Sequence, residues 1–523
     1  MTTPALLIQC PLWGFVPPIS LAQLTASMTR AGLPARAVDL NIGLFHRRGA
    51  GHRHTWAWEN NTIWLDDAVV ADVLGAHDDY IVSSCVDPLP EDAPSLAGFS
   101  VNECSMRSSL HVARRVKALR PKAFVLFGGQ AFAEPERIER CLRSGVVDAV
   151  ALGDGEETVV DVARSLSQGR APESCPGLRV LRGGAVVSTG EREPVDLDAL
   201  PFLDYAALDL AAYDVPDNLY QRSLMIMASR GCIRRCEFCG NRAPWEGYRF
   251  MSGRRIYDEI RHQLAAHPGR FSELKFYDIV VNGDMRRIRE LCELIIADPS
   301  VKLSWEEVNC VVRPEMDLKT LRLMRAAGCR RITYGIESGS DRVLRLMRKG
   351  QTAAMAERVL RDTHQAGLVA TANFMFGYPG ETEADFEETL EFARRVHPFV
   401  DMFYPSRTFV TMEPLSPMAR RREELGVDDG HDVYWSTRDG TNTYPVRLAR
   451  YERFSRLLKE LGANESPGVN SSLELWRWSS LAQYHEQRGD ARQARLCYEE
   501  CLKLDPDGAL VRARLARLKE AAS

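Results

Sequence analysis

Apolar and polar positions divide the chain into stretches of different rhythm. Over the first third, short apolar runs alternate with amphipathic ones. Strands are expected at 5–10, Ala35–Leu40, Tyr80–Val86, Ala123–Phe127 and Asp148–Leu152, with helices at Ile19–Ala31, Met106–Arg120, Pro135–Ser144 and Glu157–Leu166. Apolar runs bounded by turn formers read as buried strands, and recurrence every three to four residues reads as one face of a helix. This alternation predicts an α/β domain with a parallel, doubly wound, Rossmann-like sheet, whose ligands bind at the carboxyl ends of the strands. Small or flexible residues stand at those ends: Ser83-Ser84, Gly128-Gly129 and Gly153-Asp154-Gly155.

The rhythm loosens over 167–222, where Leu178–Leu181 and Ala185–Thr189 flank Gly183-Gly184 as a small hairpin. From 223 it returns as six strand–helix units, with strands near 224–229, 273–278, 303–309, 330–336, 369–376 and 400–410. Six such units predict a partial (β/α) barrel with its working residues at the carboxyl ends of the strands. Residues 412–471 are irregular and arginine-rich. Residues 472–519 read as helical, with Trp478, Leu481, Ala482, Gly489, Ala494, Tyr498 and Pro506 at the spacing of one tetratricopeptide repeat. One repeat cannot bury its own apolar face, so docking within the chain is the plainer expectation. The expected domains are therefore 1–166, a connector at 167–222, a barrel at 223–411, an extension at 412–471 and a helical segment at 472–523.

At 523 residues the chain is too long for a single core. A formal charge of −4 without a basic stripe speaks against nucleic acid as a partner. No apolar run has membrane-spanning length, and the first ten residues lack the basic start and long apolar stretch of a signal peptide. Thirteen scattered cysteines fit a reducing, cytoplasmic setting better than a disulfide framework. In the insertion Phe45–Trp64, His52 and His54 read as a solvated loop before they read as ligands, and Trp56, Trp58 and Trp64 as core or as cover for a ligand.

The most informative stretch is Ala228-Ser229-Arg230-Gly231-Cys232-Ile233-Arg234-Arg235-Cys236-Glu237-Phe238-Cys239-Gly240-Asn241-Arg242, with cysteines at offsets of four and three. Three thiolates can grip three irons of a four-iron cluster and leave the fourth iron open. A zinc site would want a fourth ligand, usually as a second close pair, and none lies nearby. The C-x-x-x-C-x-x-C spacing, with Phe238 before the third cysteine, resembles the cluster-binding loop of the radical SAM enzymes. Matches in the same order continue through Tyr248-Arg249, Ile256-x-x-Glu259-Ile260 and Ala327-Gly328-Cys329-Arg330-Arg331-Ile332, and cover nearly all of 223–396.

That resemblance implies a [4Fe-4S] cluster on Cys232, Cys236 and Cys239, with S-adenosylmethionine chelating the open iron. It places Asp278 near the methionyl amino group, Arg313 by the methionyl carboxylate or the substrate, Glu337 and Ser338 on the ribose, and Tyr378 and Pro379 on the adenine side. Plain structural readings stand beside these: Glu337 or Asp278 as helix caps, and Arg313 in a salt bridge.

The first third adds a second resemblance. A strand, a proline-rich loop and a Leu-Ala helix, then Val38-Asp39-Leu40-Asn41, Phe127-Gly128-Gly129 and Leu152-Gly153-Asp154-Gly155-Glu156-Glu157-Thr158, are similar to the cobalamin-binding domain that precedes many radical SAM barrels. It implies that Ser83, Ser84, Gly128, Gly129, Gly153 and Gly155 border the cobalamin. The Asp-x-His-x-x-G loop that supplies an axial histidine is absent, and Cys10-Pro11-Leu12-Trp13-Gly14 stands in its place.

Together the two resemblances imply a cobalamin-dependent radical SAM enzyme that methylates an unactivated carbon of a small molecule or peptide. The implied route uses a 5′-deoxyadenosyl radical and methylcobalamin, with an external electron donor such as flavodoxin or ferredoxin. Two other readings remain open: ring formation or rearrangement with the same cofactors, and an N-terminal domain that serves as a docking module without cobalamin.

Overall fold

The computed structural model describes residues 5–12, 14–49, 52, 55–56, 64–216, 218, 220–241, 245, 247–306, 308–428, 432–466, 473–506 and 508–520. The chain separates into two compact units, one of Met1–Ile233, Arg242–Val308 and Ala326–Cys329, the other of Arg234–Asn241, Asn309–Arg325 and Arg330–Ser523. The division falls inside the stretch expected to form the barrel, so its first strands belong to the same unit as the N-terminal sheet.

In the first unit that sheet is built from β1 (Ala5–Gln9), β2 (Ala35–Asp39), β3 (Ser95–Ser100), β4 (Ala123–Gly128), β5 (Ala149–Ala151), β6 (Leu178–Arg182) and β7 (Ala185–Ser188). Its order is β2-β1-β3-β4-β5-β6-β7. The first five strands are parallel, whereas β6 and β7 add on as the antiparallel hairpin expected around Gly183-Gly184. The helices are α1 (Ile19–Arg30), α2 (Leu40–Arg47), α3 (Asp67–Gly75), α4 (Asp78–Cys85), α5 (Met106–Leu119), α6 (Pro135–Arg143) and α7 (Gly155–Ser167). In a 2-1-3-4-5 order the connections change direction between β1 and β3, and the carboxyl ends of those strands are where doubly wound sheets bind their ligands.

One expected strand is a helix. Tyr80–Val86 carries β-branched and aromatic residues, yet Asp78–Cys85 forms α4, with Asp78 and Asp79 in its first turn and Ile81, Ser84 and Cys85 buried. Acidic residues at the helix N-terminus and a buried face outweigh the local strand preference. The third strand is instead Ser95–Ser100, where Gly98 hides the pattern. Gly98 stands opposite Leu7, and a Cβ on it would lie 3.1 Å from the Leu7 side chain. Ser83 and Ser84 therefore lie within a helix, the Ser83 hydroxyl donating to the Tyr80 carbonyl, and do not border the carboxyl edge of the sheet.

Trp56 and Trp64 are core residues, packed edge to face at 5.2 Å between ring centres. His52 pairs with Asp72 at 2.9 Å, while His54 and Trp58 lie outside the described residues.

The same unit continues with β8 (Ser223–Ile226), β9 (Ser229–Gly231), β10 (Tyr248–Phe250), α8 (Gly253–Ala266), β11 (Glu273–Phe276), α9 (Met285–Ala297) and β12 (Ser304–Trp305). Strands β8, β11 and β12 pair in parallel, while β9 leaves the sheet to pair antiparallel with β10.

In the second unit, β13 (Val308–Cys310), β14 (Arg331–Glu337), β15 (Val369–Phe374) and β16 (Met402–Pro405) form a sheet in that order. Around it run α10 (Leu318–Ala326), α11 (Asp341–Leu346), α12 (Ala353–Gln365), α13 (Glu383–Val396), α14 (Pro417–Arg420) and α15 (Tyr444–Glu460). The helical segment is α16 (Leu473–Gln487), α17 (Ala491–Leu504) and α18 (Ala509–Glu520). It docks within this unit: the Tyr484 ring stacks on Tyr444 at 5.7 Å and Trp476 meets Tyr451 at 5.4 Å. Cys497 and Cys501 lie in its apolar core. No helix among the described residues is long and apolar enough to cross a membrane.

Gly129 has φ +114°, and a Cβ there would sit 2.5 Å from the Val101 carbonyl oxygen. Gly129→Ala is expected to lower stability by about 1–3 kcal/mol, read as a drop in denaturant midpoint.

Candidate active site and cofactor surfaces

The approach to the cysteine loop is fixed before the first cysteine. Across the β9–β10 hairpin Gly231 faces Tyr248, Arg230 faces Arg249 and Ser229 faces Phe250. Gly231 has φ +82°, and a Cβ on it would run into the Gly247 carbonyl oxygen, so only glycine fits immediately before Cys232. Asp278, just beyond β11, is wholly enclosed. It accepts from the Ala228 amide at 2.9 Å and from the Ser229 hydroxyl, with the Arg287 guanidinium 3.9 Å away. Burial pushes the Asp278 carboxyl up to about 6, against the pull of Arg287 and these hydrogen bonds. Its oxygens hold the strand that leads into the loop.

On the other side of the same strand, Arg230 reaches Asp154 at 2.5 Å and also the Glu156 carboxylate. Arg249 reaches the second oxygen of Asp154 at 2.8 Å. Burial raises the Asp154 carboxyl most strongly of any single influence, but Arg230, Arg249 and the Val195 amide together outweigh it and hold the group below its ordinary range.

In the second unit the later part of the loop is pinned through Glu237. Its amide donates to the Met347 carbonyl at 2.9 Å, and its carbonyl accepts from the Met418 amide at 2.8 Å. Its buried carboxylate pairs with Arg348 at 3.0 Å and Arg421 at 3.1 Å. Phe238 packs against a core that includes Met347, Tyr378 and Trp435. Cys236 is buried and Cys239 half-buried.

Beside them lies Lys349, a residue that motif reading passed over. Its ammonium bonds the Glu337 carboxylate at 2.7 Å and stands 5.6 Å from the centre of the Phe238 ring. Burial would lower its pKa. Glu337, Cys236 and Cys239 outweigh that and raise it. The only signal for it in the sequence is a lysine just beyond the end of α11, in Met347-Arg348-Lys349-Gly350.

Glu337 ends β14 in a left-handed conformation, φ +68°, after a register break between Gly335 and Glu337. A non-glycine residue held there stores strain of about 1–3 kcal/mol, which clusters at functional positions. Ser338 turns away from the strand end: its hydroxyl meets the Thr389 hydroxyl at 3.1 Å and accepts from the Ser340 amide.

The turn after β15 is braced from α15. Asn442 donates to the Gly377 carbonyl at 2.8 Å, Arg450 pairs with Glu381 at 2.8 Å, and Glu381 accepts from the Gly377 amide. Tyr378 and Pro379 are buried in this turn, and burial raises the Tyr378 hydroxyl to about 12. Arg313 forks onto Glu315 at 2.6 and 3.0 Å.

Four glycines expected to border cobalamin stand near the carboxyl ends of β4 and β5. Gly128 ends β4, Gly129 and Gly153 are exposed with positive φ, and Gly155 opens α7. The residue standing where the serines were expected is Ser100, at the end of β3, its hydroxyl donating to Ser20 at 2.9 Å.

No three His, Cys, Asp or Glu side chains among the described residues converge as ligands of a single metal ion. A cubane cluster asks for something else, one thiolate on each of three separate irons. Three thiols on a short loop, two of them near the Lys349 ammonium, suit that demand. The glycine-lined sheet edge likewise suits a ligand that approaches the backbone closely.

Residues 226–393 match the model of the Radical SAM superfamily. An uncharacterized methyltransferase of Pyrococcus horikoshii is 25% identical over 396 residues, covering 74% of this chain and 82% of that protein. The radical S-adenosylmethionine methyltransferase TsrM of Kitasatospora setae, solved with cobalamin and a [4Fe-4S] cluster, shares the fold with a TM-score of 0.63 at 18% identity, over 95% of this chain and 100% of that one. The cobalamin-dependent S-adenosylmethionine radical enzyme OxsB, solved with aqua-cobalamin and S-adenosylmethionine, does so with a TM-score of 0.64 at 16% identity, over 99% of this chain and 75% of that one.

Lys349→Met leaves the Glu337 carboxylate buried without its partner. It is expected to lower stability by about 3–5 kcal/mol, measured by denaturant titration. Asp278 titrates at a higher pH in the folded chain than in the unfolded one, so between about pH 4 and pH 6 the native state holds the extra proton. Its contribution is most favourable at low pH and is lost as the pH rises through 6. The stability of the native chain relative to Asp278→Asn is therefore expected to fall by about 2–3 kcal/mol from pH 4 to pH 8, read from denaturant midpoints across that range.

Proposed function

Given a chain that carries a radical SAM domain and the fold of the cobalamin-dependent radical SAM enzymes, we propose that it transfers a methyl group to an unactivated carbon of a small molecule or peptide. The observation that carries this reading is the union, in one chain, of a three-cysteine loop with its buried Lys349–Glu337 pair and a 2-1-3-4-5 sheet with a glycine-lined carboxyl edge. Likeness to a methyltransferase along most of both chains supports the choice of reaction.

When bound, the cluster supplies the electron that cleaves S-adenosylmethionine, and the corrin supplies the methyl group. Cys232, Cys236 and Cys239 hold three irons. Lys349 offers a cation for the methionyl carboxylate and Glu337 an acceptor for ribose hydroxyls, with Arg313 a second cation for the carboxylate or the substrate. Asp278 and Ser338 act on the cofactor through the backbone they hold. Gly377, Tyr378 and Pro379 form the adenine-side turn that Asn442, Glu381 and Arg450 keep in shape. Gly128, Gly129, Gly153 and Gly155 let the corrin approach the sheet edge. Hydrogen abstraction by a carbon radical needs no protein base, so these residues bind, orient and exclude water. An external flavodoxin or ferredoxin delivers the electron.

The test is anaerobic reconstitution with iron, sulfide and hydroxocobalamin, followed by reductant and S-adenosylmethionine. The native chain is expected to bind about four irons and one corrin and to release both 5′-deoxyadenosine and S-adenosylhomocysteine, whereas Cys236→Ala loses the iron and the deoxyadenosine. Deoxyadenosine without S-adenosylhomocysteine would replace methyl transfer by ring formation or rearrangement. Cluster chemistry without bound corrin would make the N-terminal domain a docking module.

A further inference from the structure

We propose that Asp154, Glu156, Arg230 and Arg249 form a charged latch that fixes the start of the cysteine loop against the carboxyl edge of the N-terminal sheet. The inference deepens the reading above and rests on it, because the latch then sets where the start of the cysteine loop, as far as Cys232, stands relative to the corrin surface.

The hairpin places Arg230 and Arg249 directly opposite one another. Like charges at facing positions repel, and burial strengthens the repulsion. Something must stand between them, and it comes from the other sheet. Asp154 follows β5 at the N-cap position of α7, its side chain left free of the helix amides, and Glu156 lies in the first turn of that helix. Asp154 gives one oxygen to Arg230 at 2.5 Å and the other to Arg249 at 2.8 Å, while Glu156 takes the rest of the Arg230 fork. Arg249 also donates to the Val195 carbonyl at 2.9 Å, and the Val195 amide donates to Asp154 at 2.9 Å, which ties in the connector.

The side chains of Asp154, Glu156 and Arg230 are 2%, 5% and 10% exposed. Glu157, the next residue, faces outward to Arg192 and takes no part. Buried ion networks seldom stabilise more than apolar packing would, and their best-attested use is to select one arrangement. Here the arrangement joins the turn Gly153–Glu156, on the corrin side, to a residue two positions before Cys232. The carboxylates of the Gly-Asp-Gly-Glu turn therefore serve the cluster loop, and only its glycines face a ligand.

The measurement is the electron paramagnetic resonance spectrum of the full chain loaded with iron, sulfide and hydroxocobalamin and reduced so that cluster and cobalt each carry one unpaired electron. Their mutual splitting depends steeply on separation. The native chain is expected to show one well-defined splitting. In Glu156→Gln and in Arg249→Gln, at native iron and corrin content, the share of chains with that splitting falls several-fold, and Glu156→Asp, which keeps the charge, restores it. A splitting equal in all variants, or absent from the native chain carrying both groups, overturns the latch. A native chain that binds no cluster or no corrin overturns the underlying reading, and the latch with it.

Discussion

The carboxylate of Asp278, sealed from solvent between a strand end and Arg287, is the contact on which the approach to the cysteine loop depends. It accepts from Ala228 and Ser229, and Arg287 donates to the Ala228 carbonyl at 2.7 Å, so three successive polar groups of the strand end are committed before Cys232 is reached. A cluster held by three sulfurs would need them at set distances, and a loop free to wander could not present them. Gly231 then turns the chain where any side chain would strike Gly247, and Glu237 is held by Met347, Met418 and two arginines further on. The loop is thus held at its start through Asp278 and Gly231, and further on through Glu237.

Charge placement follows the same logic. Lys349 brings one buried cation beside Cys236 and Cys239, while Glu337 balances the lysine. The left-handed backbone of Glu337 is an unfavourable conformation for that residue, and it aims the carboxylate at Lys349. Farther along the chain, the arginine-rich stretch that looked irregular supplies Arg447 and Arg450. Arg447 donates to the Trp435 carbonyl at 2.8 Å and lies on the Trp435 ring, and Arg450 braces Glu381. That region thus braces the turn after β15.

Much of this was legible in the residues. The cysteine spacing and the strand–helix rhythm carry their own physics, and the parallel strands, the hairpin at Gly183-Gly184 and the docked helical segment stand where apolar periodicity put them. The third strand was not legible, because Gly98 and flanking serines mask a strand that is set by pairing with Leu7, while Tyr80–Val86 has strand composition but helical end charges. The partners of Asp154, Asp278 and Glu337 were also hidden. The partners of Asp154 lie 41 to 95 residues away in the chain, the hydrogen-bond donors to Asp278 lie 49 and 50 away, and the lysine on Glu337 lies 12 away, and no local pattern encodes which of these groups folds against which carboxylate.

The central claim is that three cysteines leave one iron of four open to S-adenosylmethionine. Mössbauer spectroscopy of the iron-57 protein tests it most directly. On adding S-adenosylmethionine, about a quarter of the iron signal should shift towards higher coordination, one site in four. A spectrum that S-adenosylmethionine leaves unchanged would contradict the account.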